Sequence, residues 1–381
     1  MPKTLIDGNS AAAWGARLAR VQVVPNFPVT PQTEIIETLA KWKADGKWKG
    51  EFLRMEGEHS VLSAAVASAA AGARTFTGSS SQGLMYMHEM VYVASGMRIP
   101  LVMVNVSRGL SAPITLWSDH NDILDQRDSG WLMFFCENNQ EVLDTVIQGF
   151  KIAEDSRVLL PVFVNMDGFI LSYTREPTEI PKQSKVDRFL PKYKPKVLLD
   201  TKKPMALGIG VMKEYTYFRQ QVYLANKNAL NVIEEVHKEW NKKFKRRYGL
   251  IEKYMMSDAD VCLVVMGANS TTAKQAVNNI REKGIRAGLI RIRVYRPFPE
   301  KVLREALSKV KAIGVIDQNL SPGSGGVVYP EIKALASKIP VNSFIMGLGG
   351  KYVSVKDFEF AFLETLKSVK TKKEKRFWQE P

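Results

Sequence analysis

The hexapeptide Met55-Glu56-Gly57-Glu58-His59-Ser60 puts carboxylates where an apolar run, residues 52–55, gives way to an Ala-rich stretch, residues 61–71. At the mouth of an open sheet, where α/β folds place ligands, a carboxylate on such a turn can grip a basic ring nitrogen and handle its proton. Two more turns of the same kind carry polar groups: Phe27-Pro28-Val29-Thr30-Pro31-Gln32-Thr33 and Ser107-Arg108-Gly109. Together they offer a carboxylate, a hydroxyl and a guanidinium, a set suited to proton transfer and to recognition of an anionic substrate. Each residue also has an ordinary structural role. Glu58 can be a helix-start acid favoured by about 0.3–1 kcal/mol, Thr30 a helix cap followed by Pro31, and Arg108 a salt-bridge partner of Asp119 or Asp122.

Such turns need a scaffold. Up to about residue 170, short apolar runs alternate with helical stretches, the pattern of repeated β-α units around a mostly parallel sheet. Strands are expected at 21–24, 52–55, 74–77, 101–106, 131–136 and 161–165. Thr30 is expected to cap a helix, Asn138 or Asn139 to cap one running to 153, and Ser81 or Gln82 to open a Met-rich helix reaching 95. Met85, Met87, Met90 and Met97 lie at helical spacing that suits core filling. From 174 to 257 the rhythm is lost: Pro177, Pro181, Pro191, Pro195 and Pro204 accompany a charged amphipathic helix over about 215–248. A second series follows, with strands expected at 261–266, 287–292, 312–317 and 342–346. Its helices fall near 272–283, 299–310, 329–337 and 354–369, the last opened by a capping-box-like Ser354 and Asp357. The expected fold class is α/β, with two doubly wound, mostly parallel-sheet domains: 1–175, then a connector over 176–257, then 258–381 with a basic tail.

The bulk numbers agree with two cores. A chain of 381 residues with 45% apolar content exceeds what one core usually supports. Its apolar runs fall well short of the roughly 20 residues that cross a membrane, and no charged segment followed by an apolar core opens it, so a cytoplasmic protein is expected. Cys136 and Cys262 each sit in an apolar run and read as small core hydrophobes. With two scattered cysteines and four scattered histidines the chain cannot itself hold an iron–sulfur cluster or a closed zinc site. The net charge of +15 suits acidic partners, phosphorylated ligands or simply a solvated basic face. Nucleic acid is disfavoured, because the basic residues follow no recognition-helix pattern.

Two glycine clusters, Ser321-Pro-Gly-Ser-Gly-Gly326 and Gly347-Leu-Gly-Gly350, follow strands but match no nucleotide-binding loop, and read better as structural turns against the larger domain. The segments FPVTPQTEIIE, EGEHS, RTFTGSSSQGLMYMHE, SRGL with SDHNDILDQRDSGW, and RVYRPFP with the later GLGG resemble, in order and over nearly the whole chain, the α subunits of 2-oxoacid:ferredoxin oxidoreductases, those acting on pyruvate above all.

That resemblance implies a larger domain binding the pyrimidine end of thiamine diphosphate and a smaller one like the C-terminal domain of transketolase. It implies that Glu58 contacts the cofactor's aminopyrimidine ring nitrogen, that Pro28 adjoins the cofactor, that Thr30 hydrogen-bonds the substrate's carboxylate or ketone oxygen, and that Arg108 pairs with the carboxylate. No GDG followed by an Asn pair occurs, so the Mg2+ and diphosphate half-site is assigned to a β subunit. The [4Fe-4S] clusters are assigned to that subunit and to a ferredoxin-like δ subunit, with a γ subunit, external ferredoxin and coenzyme A completing the reaction in a dimer of heteromers. Asn26-Phe27 departs from the small residue and Tyr that many relatives carry before the Pro, which bears on the acyl chain accepted. Trp117, ending the loop from Leu110, can limit the pocket or pack against the sheet. Branched-chain or aromatic 2-oxoacids, a noncatalytic scaffold and a transketolase-type transferase are the competing readings.

Overall fold

A computed structural model describes residues 3–195, 198–208 and 213–380; positions 196–197 and 209–212 of the expected connector lie outside it. The architecture is α/β, with mostly parallel sheets flanked by helices. In the first half, β2 (Val23–Asn26) pairs in parallel with β3 (Glu51–Arg54), and a bridge from Val23 to Thr75 sets this pair beside β4 (Phe76–Ser79). Parallel pairing continues through β5 (Val102–Ser107), β7 (Val162–Asp167) and β6 (Leu132–Phe135). All four strands from β4 to β7 are buried along their length, as the strands of a parallel sheet covered on both faces should be.

The chain winds outward from β2 to β3, then returns past β2 to β4 and β5. This change of direction opens a crevice at the carboxyl ends of β2 to β5, where doubly wound sheets place ligands. The helices feeding it are α1 (Gly8–Leu18), α2 (Thr33–Ala44), α3 (Glu58–Ala70), α4 (Ser81–Tyr86), α5 (His88–Gly96), α6 (Asn121–Leu124) and α7 (Asn139–Ala153). Asn138 caps α7 by accepting from Glu141 N at 2.9 Å, as its position predicts. The expected Met-rich helix is broken at Met87 into α4 and α5, with Met87 fully buried. The Thr30 cap is corrected: α2 starts at Thr33, behind Gln32, and no side chain caps it. Gln32 instead sends its amide across to Gly78 O at 2.7 Å, tying the β2 turn to β4.

The connector holds more order than its prolines suggest. A ribbon of β1 (Lys3–Ile6) and β8 (Glu176–Glu179) precedes α8 (Gln183–Phe189) and the long α9 (Lys213–Phe244). The second sheet runs β15-β14-β13-β10-β11-β9, using β9 (Ile251–Tyr254), β10 (Val261–Val265), β11 (Ala287–Ile292), β13 (Ala312–Asp317), β14 (Val341–Ile345) and β15 (Arg376–Trp378). Only β9 is antiparallel. Around it pack α10 (Asn269–Glu282), α11 (Glu300–Leu307), α12 (Val328–Leu335) and α13 (Val355–Thr371), the last opened by the full Ser354/Asp357 capping box. The basic tail ends in β15 rather than in solvent.

The halves share structure. β12 (Val294–Arg296) leaves the second sheet and pairs antiparallel with β6 of the first. Beside it Arg291 Nη1 meets Glu141 Oε2 at 2.9 Å, Arg293 bonds Glu141 Oε1, and Arg293 Nη2 reaches Thr145 at 2.7 Å, all fully buried. One apolar cluster runs from Leu84 and Phe135 of the first half to Cys262, Ile290 and Val315 of the second. Cys136 and Cys262 are buried, and burial pushes both thiols far up, which suits core hydrophobes. Among the described residues no helix is long and apolar enough to cross a membrane.

Candidate active site

Four neighbouring strand ends deliver the polar groups. After β3 the chain turns through Gly57, extended with φ −175°, and α3 begins directly at Glu58. Glu58 is half-buried in the first turn of α3, where the helix dipole favours its charge. Its Oε1 faces α4 so closely that a Cβ on Gly83 would lie 2.6 Å away; the same Cβ would lie 2.8 Å from Ser79 Oγ at the end of β4. The Ser79 and Ser80 hydroxyls are buried, and among the described residues neither has a hydrogen-bond partner. The Glu58 carboxylate and the Ser79 hydroxyl therefore meet beside Gly83, with the hydroxyl left unsatisfied, contrary to the usual pairing of buried polar atoms.

After β5 comes Arg108. Its Nη1 donates to Thr30 O at 2.9 Å and its Nη2 to Gln82 Oε1 at 3.2 Å, while Nε is buried without a partner among the described residues. The expected ion pair to Asp119 or Asp122 is not formed, since Asp122 accepts from the Arg108 backbone N–H instead, at 3.1 Å. Burial lowers the Arg108 pKa, opposed by the Asp122 charge. A half-buried cation with one nitrogen left unpaired is what an anionic ligand would complete.

The structure thus brings Thr30 and Arg108 into direct contact, and Gln82 and Gly83 connect them to Glu58. Pro28 is exposed on the same loop, two residues before Thr30. Asn26 is buried and pinned to Val24 O and Leu53 O, joining the ends of β2 and β3. Trp117 is 52% exposed, its ring tilted against Phe169 with centroids 4.6 Å apart and its Cβ close against Gly350. Sequence reasoning missed Ser79, Ser80, Gln82 and Gly83 as site residues. Their signal is a run of small polar residues at the end of β4, which reads as a helix start.

The loop after Arg108 is fastened to the second half. Gly349 N donates to Asp119 Oδ2 at 3.1 Å, His120 N to Gln318 O at 2.8 Å, and Leu320 N to Asn121 Oδ1 at 2.8 Å. The Gly347–Gly350 turn therefore packs against the larger half, as its sequence suggests. His120 Nε2 lies 2.6 Å from Asp167 Oδ1; burial works against the imidazolium, but Asp167 outweighs it and raises the His120 pKa.

These residues suit the pyrimidine end of thiamine diphosphate, because the Glu58 carboxylate and the unpartnered Ser79 hydroxyl meet beside Gly83. Among the described residues no three acidic, histidine or cysteine side chains cluster to hold an ion.

The family described as "Pyruvate flavodoxin/ferredoxin oxidoreductase, thiamine diP-bdg" matches residues 14–238, and "Pyruvate:ferredoxin oxidoreductase core domain II" matches residues 259–358. Pyruvate synthase subunit PorA of Methanothermobacter thermautotrophicus is 44% identical over 351 residues, 92% of this chain and 92% of that protein. Ketoisovalerate oxidoreductase subunit VorA of Pyrococcus horikoshii is 41% identical over 374 residues, 96% of this chain and 94% of that protein. Among solved structures, the 2-oxoglutarate:ferredoxin oxidoreductase from Magnetococcus marinus matches with a TM-score of 0.76 at 17% identity, covering 96% of this chain, which spans 65% of that one. A split-gene transketolase matches at 0.55 and 12% identity, over 93% of this chain and 97% of that one. The chain therefore belongs to the pyruvate flavodoxin/ferredoxin oxidoreductase family, its first half being the thiamine diphosphate-binding part.

Proposed function

We propose that this chain is the α subunit of a thiamine diphosphate-dependent 2-oxoacid:ferredoxin oxidoreductase, converting pyruvate and coenzyme A to acetyl-CoA and CO2 with electrons passed singly to ferredoxin. The observation that carries the reading is Arg108, a half-buried guanidinium with its Nε left without a partner among the described residues, linked through Gln82 and Gly83 to the carboxylate of Glu58. The PorA relatives, 42–44% identical over more than nine-tenths of the chain, support pyruvate as substrate.

When bound, thiamine diphosphate supplies the nucleophile for the 2-oxo carbon and the electron sink for loss of CO2. Glu58 holds a proton at the pyrimidine ring nitrogen, its carboxyl kept close by Gly83 and partly shielded from water. Ser79 has a hydroxyl free to orient that ring, and Pro28 shapes the loop beside it. Arg108 pairs with the substrate carboxylate, and Thr30, whose carbonyl already positions the guanidinium, presents its hydroxyl to the carboxylate or ketone oxygen.

In this reading residues 1–175 form the pyrimidine-binding domain, 176–257 the connector and 258–381 the transketolase-like domain. A β subunit brings Mg2+ and the diphosphate half-site, so the chain alone is inactive. Clusters on the β and δ subunits carry the electrons, and a γ subunit completes a cytoplasmic dimer of heteromers that external ferredoxin visits. Branched-chain 2-oxoacids are the second reading, favoured by the VorA relatives. Turnover of pyruvate against 2-oxoisovalerate separates the two.

Glu58→Ala in the reconstituted complex tests the site. Decarboxylation is expected to fall by about 10²-fold or more with assembly intact. Near-normal turnover would instead identify a scaffold subunit.

A further inference from the structure

Behind the Arg108 turn lies a fully buried acid, Asp122, that bonds the backbone of that turn rather than the guanidinium. Asp122 Oδ2 accepts from Ser81 N at 2.9 Å, from Arg108 N at 3.1 Å and from Asn105 Nδ2 at 3.2 Å, and its Oδ1 accepts from Ile123 N at 2.7 Å. Its oxygens are therefore taken up by three backbone N–H groups and one side-chain amide, and the Arg108 guanidinium is left to its bonds with Thr30 O and Gln82 Oε1. Ser81 adopts φ +49°, a left-handed conformation that a non-glycine residue keeps only when its surroundings hold it there. The bond to Asp122 does so, helped by Ser81 Oγ, which lies 2.8 Å from Gly109 O and 2.7 Å from Gln82 Oε1. The turn that opens α4 and the turn that bears Arg108 thus converge on a single carboxylate. Its own flanks are held from the second half, through His120 N to Gln318 O and Leu320 N to Asn121 Oδ1.

We propose that Asp122 is a positioning residue of this site: it locks the Arg108 turn to the start of α4, so that the substrate-binding cation and the wall facing Glu58 keep one fixed spacing. This rests on the reading of Arg108 as the carboxylate ligand. Asp122→Asn keeps the shape but leaves a single accepting oxygen, so the three N–H groups that meet Oδ2 and the Ile123 N–H at Oδ1 cannot all keep an acceptor, and one set must face an NH2 group.

The test is a double-mutant cycle in the fully reconstituted complex, read by steady-state kinetics. Asp122→Asn is expected to raise the KM for the 2-oxoacid about tenfold while the KM for coenzyme A stays unchanged. In an Arg108→Ala background the same substitution is expected to change the 2-oxoacid KM less than about twofold, because a residue acting through Arg108 has nothing left to act on. Equal effects in both backgrounds would overturn the positioning role. No KM change from Arg108→Ala alone would remove the parent reading and this inference with it. Should Asp122→Asn fail to assemble, hydrogen exchange in the native complex decides: matched, strong protection of the Ser81 and Arg108 amides supports the lock, and free exchange at either overturns it.

Discussion

A methyl group at position 83 would stand 2.6 Å from Glu58 Oε1 and 2.8 Å from Ser79 Oγ, closer than real side chains approach. Because residue 83 lies inside α4, alanine itself is conformationally welcome there, and the fold should tolerate it. Gly83→Ala is therefore expected to leave the melting temperature nearly unchanged while displacing the Glu58 carboxyl and lowering decarboxylation by roughly 10- to 100-fold. Wild-type turnover in that variant would show that the position of the carboxyl is not critical. Asp122 gives a pH signature. Burial pushes its pKa up to about 7, with Asp119 adding to the rise, so between about pH 4 and 7 the native state holds a proton that the unfolded chain releases. Native stability attributable to this group is greatest at low pH and falls by roughly 4 kcal/mol as pH climbs through that window. Measured by thermal unfolding, the stability of Asp122→Asn relative to wild type is expected to shift in the variant's favour from pH 4 to 7 and to level off above. Glu58, Thr30 and Arg108 were legible in the sequence as candidates, polar residues at strand ends, although each had an ordinary structural role to set against it. Asp122 and Ser79 were not, since the meaning of a buried acid or an orphaned hydroxyl lies in partners far along the chain.

Among the elements, the long apolar strands and the amphipathic helices were readable from their periods, and the Asn138 and Ser354 caps from residue type alone. The strands that escaped, β1, β8, β9, β12 and β15, are three or four residues long and mostly flanked by charge, so alternation had no length over which to register. The start of α2 was misplaced because Thr30-Pro31 mimics a cap, while Gln32 is drawn to Gly78 by a contact local sequence cannot reveal. The strand after β11 shows what such hidden contacts are worth. Arg293 is buried with Glu141, Thr145 and His237 as partners, and burial penalises the Glu141 carboxylate while Arg291 and Arg293 together hold its pKa low. Arg293→Met keeps the bulk and strands part of that charge, so a loss of about 3–5 kcal/mol is expected from chemical denaturation. A negligible loss would mean that Arg291 alone neutralises Glu141.

At the scale of the molecule, the fold class followed from the β-α rhythm and the family from motifs spread over most of the chain. What the rhythm hid is the exchange across the middle: the loop beyond Arg108 hangs on the second half, and β12 crosses back to finish the first sheet. That crossing has a consequence for biosynthesis. While the polypeptide emerges from the ribosome, the flank of β6 has no neighbour and Glu141 no counter-charge until Val294–Arg296 exists. The amino-terminal half can consequently mature only after most of the carboxyl-terminal half has been translated. A prematurely terminated product would display an open, hydrogen-bond-hungry flank, making it a natural client for chaperones and proteolysis rather than a competitor for assembly.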